Sequence, residues 1–318
     1  MTRPKYSIII PVYNRPEEVE ELLESLTNQT FTNFEVILVE DGSSITCEKV
    51  FEKYSRQLLL RYFFKQNTGP GPSRNFGFEK ALGDYFVIFD SDCIIPPKYF
   101  EETEIFLSQT PLDAWGGPDK AHEDFTFVQR AMGYTMSSVL TTGGIRGGKS
   151  KGFQPRSFNM GFHKEVFQKT GGFKFDRFAE DIEFSIRMRK AGYRVGLIPE
   201  AYVYHKRRTD FKQFYRQVYN FGRGRILVGC AHTGEVKLTH WFPAFFLMGL
   251  LLLPIIFLFN SSLAMIGIGG YIFYLLLIAV DCFLSTRSFH VSLLSVPAAF
   301  IQLTGYGHGF LRELVRTR

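Results

Sequence analysis

Tyr6-Ser-Ile-Ile-Ile-Pro-Val-Tyr-Asn-Arg-Pro-Glu-Glu-Val-Glu-Glu-Leu-Leu-Glu-Ser-Leu26 decides the fold class. Tyr6 to Pro11 is a short apolar run, the pattern of a strand buried on both faces. After a polar break, Val19, Leu22, Leu23 and Leu26 recur at i, i+3, i+4 and i+7, one face of a helix. Pro16 suits that helix's first turn, and Glu17 and Glu18 favour its positive end. Outward from this unit the alternation repeats. Phe34 to Val39 predicts a second strand ending in Glu40-Asp41-Gly42-Ser43, and Leu58 to Phe64 a third. Asn67 to Ala81 predicts a Gly/Pro loop running into a helix, and Tyr85 to Phe89 a strand ending in Asp90-Ser91-Asp92. Short apolar runs alternating with helical patterns define an α/β domain. Polar groups gather after the carboxyl ends of its strands, where open α/β sheets bind ligands.

Residues 116–156 are rich in Gly and polar residues and predict a partly mobile excursion. Order is expected again at Ser157 to Phe162 and in a helix over Lys164 to Thr170. A second helix is expected from Glu180-Asp181 to before Gly192, then strands at Tyr193 to Ile198 and Tyr202 to His205.

The 318 residues carry a formal charge of +6 and are 45% hydrophobic, which excludes a disordered chain or a fibrous repeat. The charge is unevenly spread. From Leu238 onward there are two acids (Asp281, Glu313) and four arginines (Arg287, Arg312, Arg316, Arg318). Trp241 to Phe259 and Leu263 to Val280 lack any charge, and each is near the roughly 20 residues that span hydrocarbon. The basic stretch before them and Arg287 after them place both flanks in the cytosol by the positive-inside rule. Val291 to Leu311 is also uncharged, but Pro297, Gly305, Gly307 and Gly309 weaken it as a span, and a re-entrant or interfacial hairpin is the alternative. Between the two regions, Phe211, Phe214, Tyr215, Val218 and Tyr219 mark one helical stripe. Residues 206–225 add Lys206, Arg207, Arg208, Lys212, Arg216, Arg223 and Arg225 against the single acid Asp210. A basic helix with an aromatic face suits a membrane interface, and a helix packed on its own domain shows the same pattern. The expected organisation is an α/β domain over 1–205, a basic amphipathic segment over 206–237 and a membrane region over 238–318. The apolar run at the N-terminus is too short for a signal peptide, so the polar domain is expected in the cytosol. The four cysteines lie far apart, which suits reduced thiols rather than a disulfide frame or zinc site. No nucleic-acid motif appears, and basic residues beside apolar spans point to anionic lipid or a lipid-linked phosphate.

The ordered set Ser7-Ile-Ile-Ile-Pro-Val-Tyr-Asn14, Val39-Glu-Asp-Gly-Ser43, Asn67-Thr-Gly-Pro-Gly-Pro-Ser-Arg-Asn75, Asp90-Ser-Asp92, Asn159-Met-Gly161 and Glu180-Asp181 resembles the family 2 glycosyltransferases. The resemblance covers roughly residues 5–205 and implies the GT-A fold, a mostly parallel nucleotide-binding sheet flanked by helices. It implies a glycosyltransferase of hexosyltransferase type that takes a nucleoside-diphosphate sugar donor and a lipid-linked or glycan acceptor, in polysaccharide biosynthesis. The expected place is the cytosolic face of the inner membrane, in a multi-pass protein.

On an extended strand end, Asp90 and Asp92 point the same way, which suits a hard cation, Mg²⁺ or Mn²⁺; a solvated acidic turn is the plain alternative. His205 would join the same metal by resemblance, though a lone histidine is more often structural. The resemblance places Asp41 against the donor base, with Pro11, Tyr13 and Asn14 as the other wall. An ordinary Asp-Gly turn would read the same. The resemblance assigns Arg74, where the Gly/Pro loop enters its helix, and Asp90 to the donor's nucleotide end. Glu180 and Asp181 suit helix capping, and the family's Glu-Asp motif makes Asp181 the general base. With one base and no second nucleophile, single displacement with inversion is the simpler mechanism. Trp115, Asn159, Glu180, Gln213 and Arg216 are expected on the acceptor side.

Two motifs compete. Gly143-Gly-Ile-Arg-Gly-Gly-Lys-Ser150 matches the P-loop pattern, but Gly152 and Pro155 break the helix that pattern requires next, so a flexible basic loop is expected instead. Gln213-Phe-Tyr-Arg-Gln217 resembles the Gln-x-x-Arg-Trp of processive family members, with Gln217 in place of Trp. Transfer of one sugar is therefore expected rather than polymerisation. A processive polysaccharide synthase and a catalytically silent sugar-nucleotide binder are the alternatives.

Overall fold

A computed structural model describes residues 3–120, 125–142, 153–205 and 209–317. The Gly143 to Ser150 motif and Lys206, Arg207 and Arg208 lie outside them. The chain divides into two compact units, and among the described residues 125–142 group with the C-terminal segment rather than with the α/β unit.

The first unit opens with β1 (Tyr6–Val12), α1 (Pro16–Thr27), β2 (Phe34–Asp41), α2 (Glu48–Tyr54), β3 (Leu60–Lys65), α3 (Pro70–Lys80) and β4 (Tyr85–Phe89). There follow β5 (Cys93–Ile94), α4 (Tyr99–Gln109), β6 (Ala114–Gly116) and β7 (Asp119–Lys120). In the second unit come α5 (Phe127–Ser137) and α6 (Val139–Thr142). The α/β unit is completed by β8 (Asn159–His163), α7 (Lys164–Thr170), α8 (Glu180–Lys190), β9 (Val195–Leu197) and β10 (Val203–His205).

Seven strands form the main sheet in the order β3-β2-β1-β4-β8-β6-β9. The first four run parallel, β8 is antiparallel to both neighbours, and β6 and β9 pair in parallel. Ile8, Ile9 and Ile10 are all fully buried, because β1 is central and covered on both faces. Ile8 and Ile10 pack with Val19, Leu22, Leu23 and Phe100 on one side, while Ile9 joins Phe78, Met160, Phe162 and Phe184 on the other. This explains why the strand reads as a continuous apolar run. A small sheet, β5-β10-β7, stands beside it and sets His205 directly opposite Cys93.

In the second unit α5 and α6 join α9 (Phe211–Ala231), α10 (Phe242–Phe259), α11 (Ser261–Thr286) and α12 (Phe289–Arg316). The expected excursion therefore contains an ordered helix, α5. Its N-terminus is a capping box, Thr126 Oγ1 accepting from Gln129 N and Gln129 Oε1 accepting from Thr126 N. The hairpin alternative for residues 291–311 gives way to one continuous helix through Pro297. The glycines that weakened it as a span are where other helices come close. A Cβ at Gly309 would lie 1.9 Å from the Tyr219 carbonyl oxygen on α9, and one at Gly307 2.3 Å from that of Pro243 on α10. The apolar stripe of α9 is filled by protein: Phe214 and Val218 cluster with Met132, Met136 and Ala298. The α10 and α11 helices, α10 with the turn before it, are long and apolar enough to cross a membrane, and little of either is buried. Leu258, Ile266 and Phe273 are exposed on them.

Candidate active site

The parallel order β2-β1-β4 brings the carboxyl ends of β2 and β4 to one edge of the sheet, and each end carries an acid. On β2, Asp41 is buried, and its ladder partner on β3 is Lys65. Lys65 Nζ donates to Asp41 Oδ1, which also accepts from Thr68 N at 2.9 Å, while Oδ2 accepts from Gly69 N at 2.8 Å. Burial raises the Asp41 pKa, but Lys65 and these amides outweigh it and hold the carboxyl below its usual range. Gly42 has φ +73°, and a Cβ there would sit 2.7 Å from Asn67 N, so only glycine lets the two loops close together. Asp41 is thus the anchor of the loop that leads into α3. Beside it, Asn14 has φ 54° and its Oδ1 accepts from Ser44 N and Ile45 N at 2.8 and 3.0 Å. That knits the β1–α1 turn to the 43–45 loop, with Tyr13 exposed and Pro11 half-buried beside it.

At the end of β4 a turn closes through Cys93 N to Asp90 O at 3.1 Å. Asp90 accepts from Arg74 Nη2 at 2.7 Å, and Arg74 Nη1 donates to Glu180 Oε1 at 2.9 Å. Arg74 is buried with Phe173 beneath its guanidinium, 5.4 Å from the ring centre. Burial alone would lower its pKa; Asp90 and Glu180 reverse that and raise it. Glu180 is pushed up, first by burial and then, against Arg74, by Asp181 and Asp90. Asp181, next in α8, takes Ile182 N on Oδ1 at 2.7 Å, and Arg156 Nη1 stands 3.7 Å from Oδ2.

Asp92 is buried between Arg15, whose Nη1 is 3.0 Å from Oδ2, and His205, whose Nε2 is 3.1 Å from Oδ1. The imidazole stacks on Phe158, ring centres 4.7 Å apart. Asp92, Cys93 and His205 each offer a donor atom within 4.8 Å of the others. Oxygen and imidazole donors at this spacing fit a divalent cation, which Asp92 and His205 would hold; Asp90 is not part of this group and is paired with Arg74 instead.

Trp115 and Asn159, expected on the acceptor side, lie on β6 and β8 of the main sheet. Both are fully buried. The indole packs against Gly161, where a Cβ would lie 2.2 Å from the ring, and it also meets Tyr6 and Tyr85 edge-on or tilted. Asn159 accepts from Tyr99 OH at 2.7 Å and donates to Ala201 O at 2.8 Å. Both side chains brace the sheet. Gln213 and Arg216 lie exposed on α9, in the other unit. The sequence reading passed over Arg15, Lys65 and Arg156, and also Glu40, whose carboxylate takes Cys47 N at 2.9 Å and Ser43 Oγ and so shapes the loop after Asp41. Only Lys65 had a signal, as the last residue of a strand beside the one that ends in Asp41.

A mixed sheet with acids at the ends of its parallel strands defines the GT-A class. The model of the family Glycosyl transferase family 2 matches residues 7–171, and the chain belongs to that family. An uncharacterized glycosyltransferase of Haemophilus influenzae is 32% identical over 188 residues, 57% of this chain and 61% of that one. The glycosyltransferase AglE of Haloferax volcanii is 24% identical over 71% of this chain and 75% of its own. A Rickettsia felis uncharacterized glycosyltransferase is 37% identical over 33% of this chain, a match that spans 19% of that protein's length. Among solved structures, the mannosyltransferase PcManGT of Pyrobaculum calidifontis, in complex with GDP-Man and Mn²⁺, superposes with TM-score 0.62 at 16% identity over 100% of this chain and 89% of that one. TarS 1-349 of S. aureus gives 0.51 at 19% identity, over 99% and 92%. These two share the fold.

Proposed function

We propose that the chain transfers a single hexose from a nucleoside-diphosphate sugar to a lipid-linked or glycan acceptor, inverting the anomeric carbon in one displacement. The observation that carries the reading is the Arg74 clamp. One buried guanidinium bridges Asp90, on the donor side, and Glu180, beside the proposed base, so the two halves of a transfer site are fixed to each other. Family membership and the relatives' names support the activity. The donor class is supported by GDP-Man in the Pyrobaculum structure and UDP-GlcNAc in a TarS structure of the same fold.

Asp41 would accept from the donor base on Oδ2, which keeps a lone pair after taking Gly69 N. Pro11, Tyr13 and Asn14 line the same loop edge. A divalent cation, Mg²⁺ or Mn²⁺, held by Asp90, Asp92 and His205 would supply charge against the departing diphosphate. Asp181 acts as base. Its Oδ1 is occupied by Ile182 N, so Oδ2 takes the acceptor's hydroxyl proton as that oxygen attacks the anomeric carbon and the diphosphate leaves. Gln213 and Arg216 would serve the acceptor. The two exposed apolar helices support a multi-pass protein of the inner membrane with its α/β unit in the cytoplasm.

The test is hydrolysis of a panel of UDP-, GDP- and dTDP-sugars by detergent-solubilised protein with Mg²⁺ or Mn²⁺. One donor should be cleaved, and the reaction lost in Asp92→Ala. Asp181→Asn should bind that donor with unchanged affinity yet transfer no sugar. Neither binding nor turnover of any donor overturns the reading.

A further inference from the structure

The turn that carries Asp92 is followed by a thiol, and the small sheet faces that thiol toward His205. In an antiparallel pair, directly opposite residues project to the same side, and Cys93 is the register partner of His205. Asp92 is bonded to one of these residues and 3.1 Å from the other. Cys93 is buried, its Sγ 3.5 Å from the Phe158 carbonyl, whose ring also backs the imidazole. Carboxylate, thiol and imidazole therefore come together in one enclosed corner, all within 4.8 Å. Donors on one tetrahedral zinc sit about 3.3–3.8 Å apart, given bonds of roughly 2.0–2.3 Å. A side-chain shift of about an ångström would bring these three onto a common ion.

We propose that Cys93 makes this a zinc-accepting site: Asp92, Cys93 and His205 together take Zn²⁺ in preference to Mg²⁺ or Mn²⁺, and the zinc-loaded protein is held inactive. This rests on the reading that Asp92 and His205 are cation ligands. Mg²⁺ and Mn²⁺ prefer oxygen and gain little from sulfur, whereas thiolate selects zinc. Coordination releases the Cys93 proton to solvent and leaves a Zn–S bond. The bound ion is then fixed to the wall of the site, and Asp92 is no longer available to the donor's own cation. Activity would follow the free zinc level.

Co²⁺ serves as the spectroscopic probe for zinc, titrated into the full-length protein in detergent. The wild type should show the ultraviolet thiolate-to-cobalt charge-transfer band together with visible d–d bands, both bleached by added Zn²⁺. Cys93→Ser should keep the d–d bands and lose the charge-transfer band, and His205→Ala should lose it as well. Neither Cys47, Cys230 nor Cys282 shares that dependence, because His205 is grouped with Cys93 alone. Zinc affinity should fall at least 10-fold in Cys93→Ser, while Mn²⁺ affinity moves less than about 3-fold. Mn²⁺-supported donor hydrolysis should become correspondingly resistant to zinc. Bound cobalt without a charge-transfer band, or a band that survives Cys93→Ser, overturns the proposal and leaves the cation reading intact. Absence of any cobalt or manganese binding overturns both.

Discussion

Arg74 shows how one side chain can set a site's geometry by tying two elements together. Its two terminal nitrogens reach carboxylates from two elements, Asp90 after β4 and Glu180 at the start of α8. A lysine there offers a point charge and can meet one of them well. In Arg74→Lys, donor hydrolysis and sugar transfer should each fall at least about tenfold, with the fold retained. Arg74→Leu leaves the buried Glu180 and the half-buried Asp90 without their cation and should cost about 3 kcal/mol, read from denaturant unfolding. Equal activity in Arg74→Lys would sink the clamp. Asp41 gives a prediction in pH. Its folded-state pKa lies below the ordinary 3.8, so between the two values the unfolded chain binds more protons than the folded one. Its stabilising contribution is complete above the ordinary value and is lost as pH falls through the folded one. Asp41→Asn lacks this contribution at every pH. The melting-temperature gap between wild type and Asp41→Asn should therefore be widest above about pH 5 and close as the pH is taken to 3 and below. A gap that stays constant from pH 6 to 3 would contradict it.

At the scale of elements, the glycine of β8 faces the indole of β6. A Cβ at Gly161 would enter the Trp115 ring at 2.2 Å, in a core where Trp115, Tyr6 and Phe100 are fully buried. Gly161→Ala should destabilise by about 1–3 kcal/mol, the usual cost of overpacking. In a Trp241→Phe background the remaining tryptophan's emission should shift as its packing changes. That pair also shows where sequence reading stops. Asn159-Met-Gly161 is visible as a motif, but nothing in its letters says that the Asn amide is spent on Tyr99 and Ala201 or that the glycine makes room for Trp115. The parallel core was legible because Ile8, Ile9 and Ile10 are covered from both sides and must all be apolar. The acids at the strand ends were legible too, since strand termini can be read from where apolar runs stop. Arg15 and Arg156 were not, because through-space approach between distant residues leaves no local pattern. Helix α5 was hidden differently. Its capping box, Thr126 and Gln129, is a local signal, but it lies between polar stretches that outweighed it. The stripe on α9 was visible, yet periodicity cannot tell whether lipid or α12 covers it.

For the molecule as a whole, the distribution of exposed apolar surface leads to a topology that can be tested. The α10 and α11 helices are joined by a single residue, Asn260, whose side chain accepts from Leu263 N at 3.0 Å, so the chain reverses at once. If each crosses the bilayer, Asn260 and Ser261 lie on the side opposite both α9 and Arg287. The natural thiols make this measurable without rebuilding the protein. Cys47, Cys93 and Cys282 are buried, whereas Cys230, near the end of α9, is exposed. In sealed right-side-out vesicles, a membrane-impermeant maleimide should leave Cys230 unlabelled. In inverted vesicles it should label Cys230 to completion. Ser261→Cys, placed on a Cys230→Ser background, should show the reverse pattern. Alkaline carbonate should leave the protein in the membrane pellet, since leucines and phenylalanines on two helices hold it there rather than basic side chains on a surface. Labelling of both positions from the same side would mean that α10 and α11 lie along the interface as a hairpin. The charge that remains on α9, Lys212 and Arg216 included, would then rest on the same leaflet as the apolar pair.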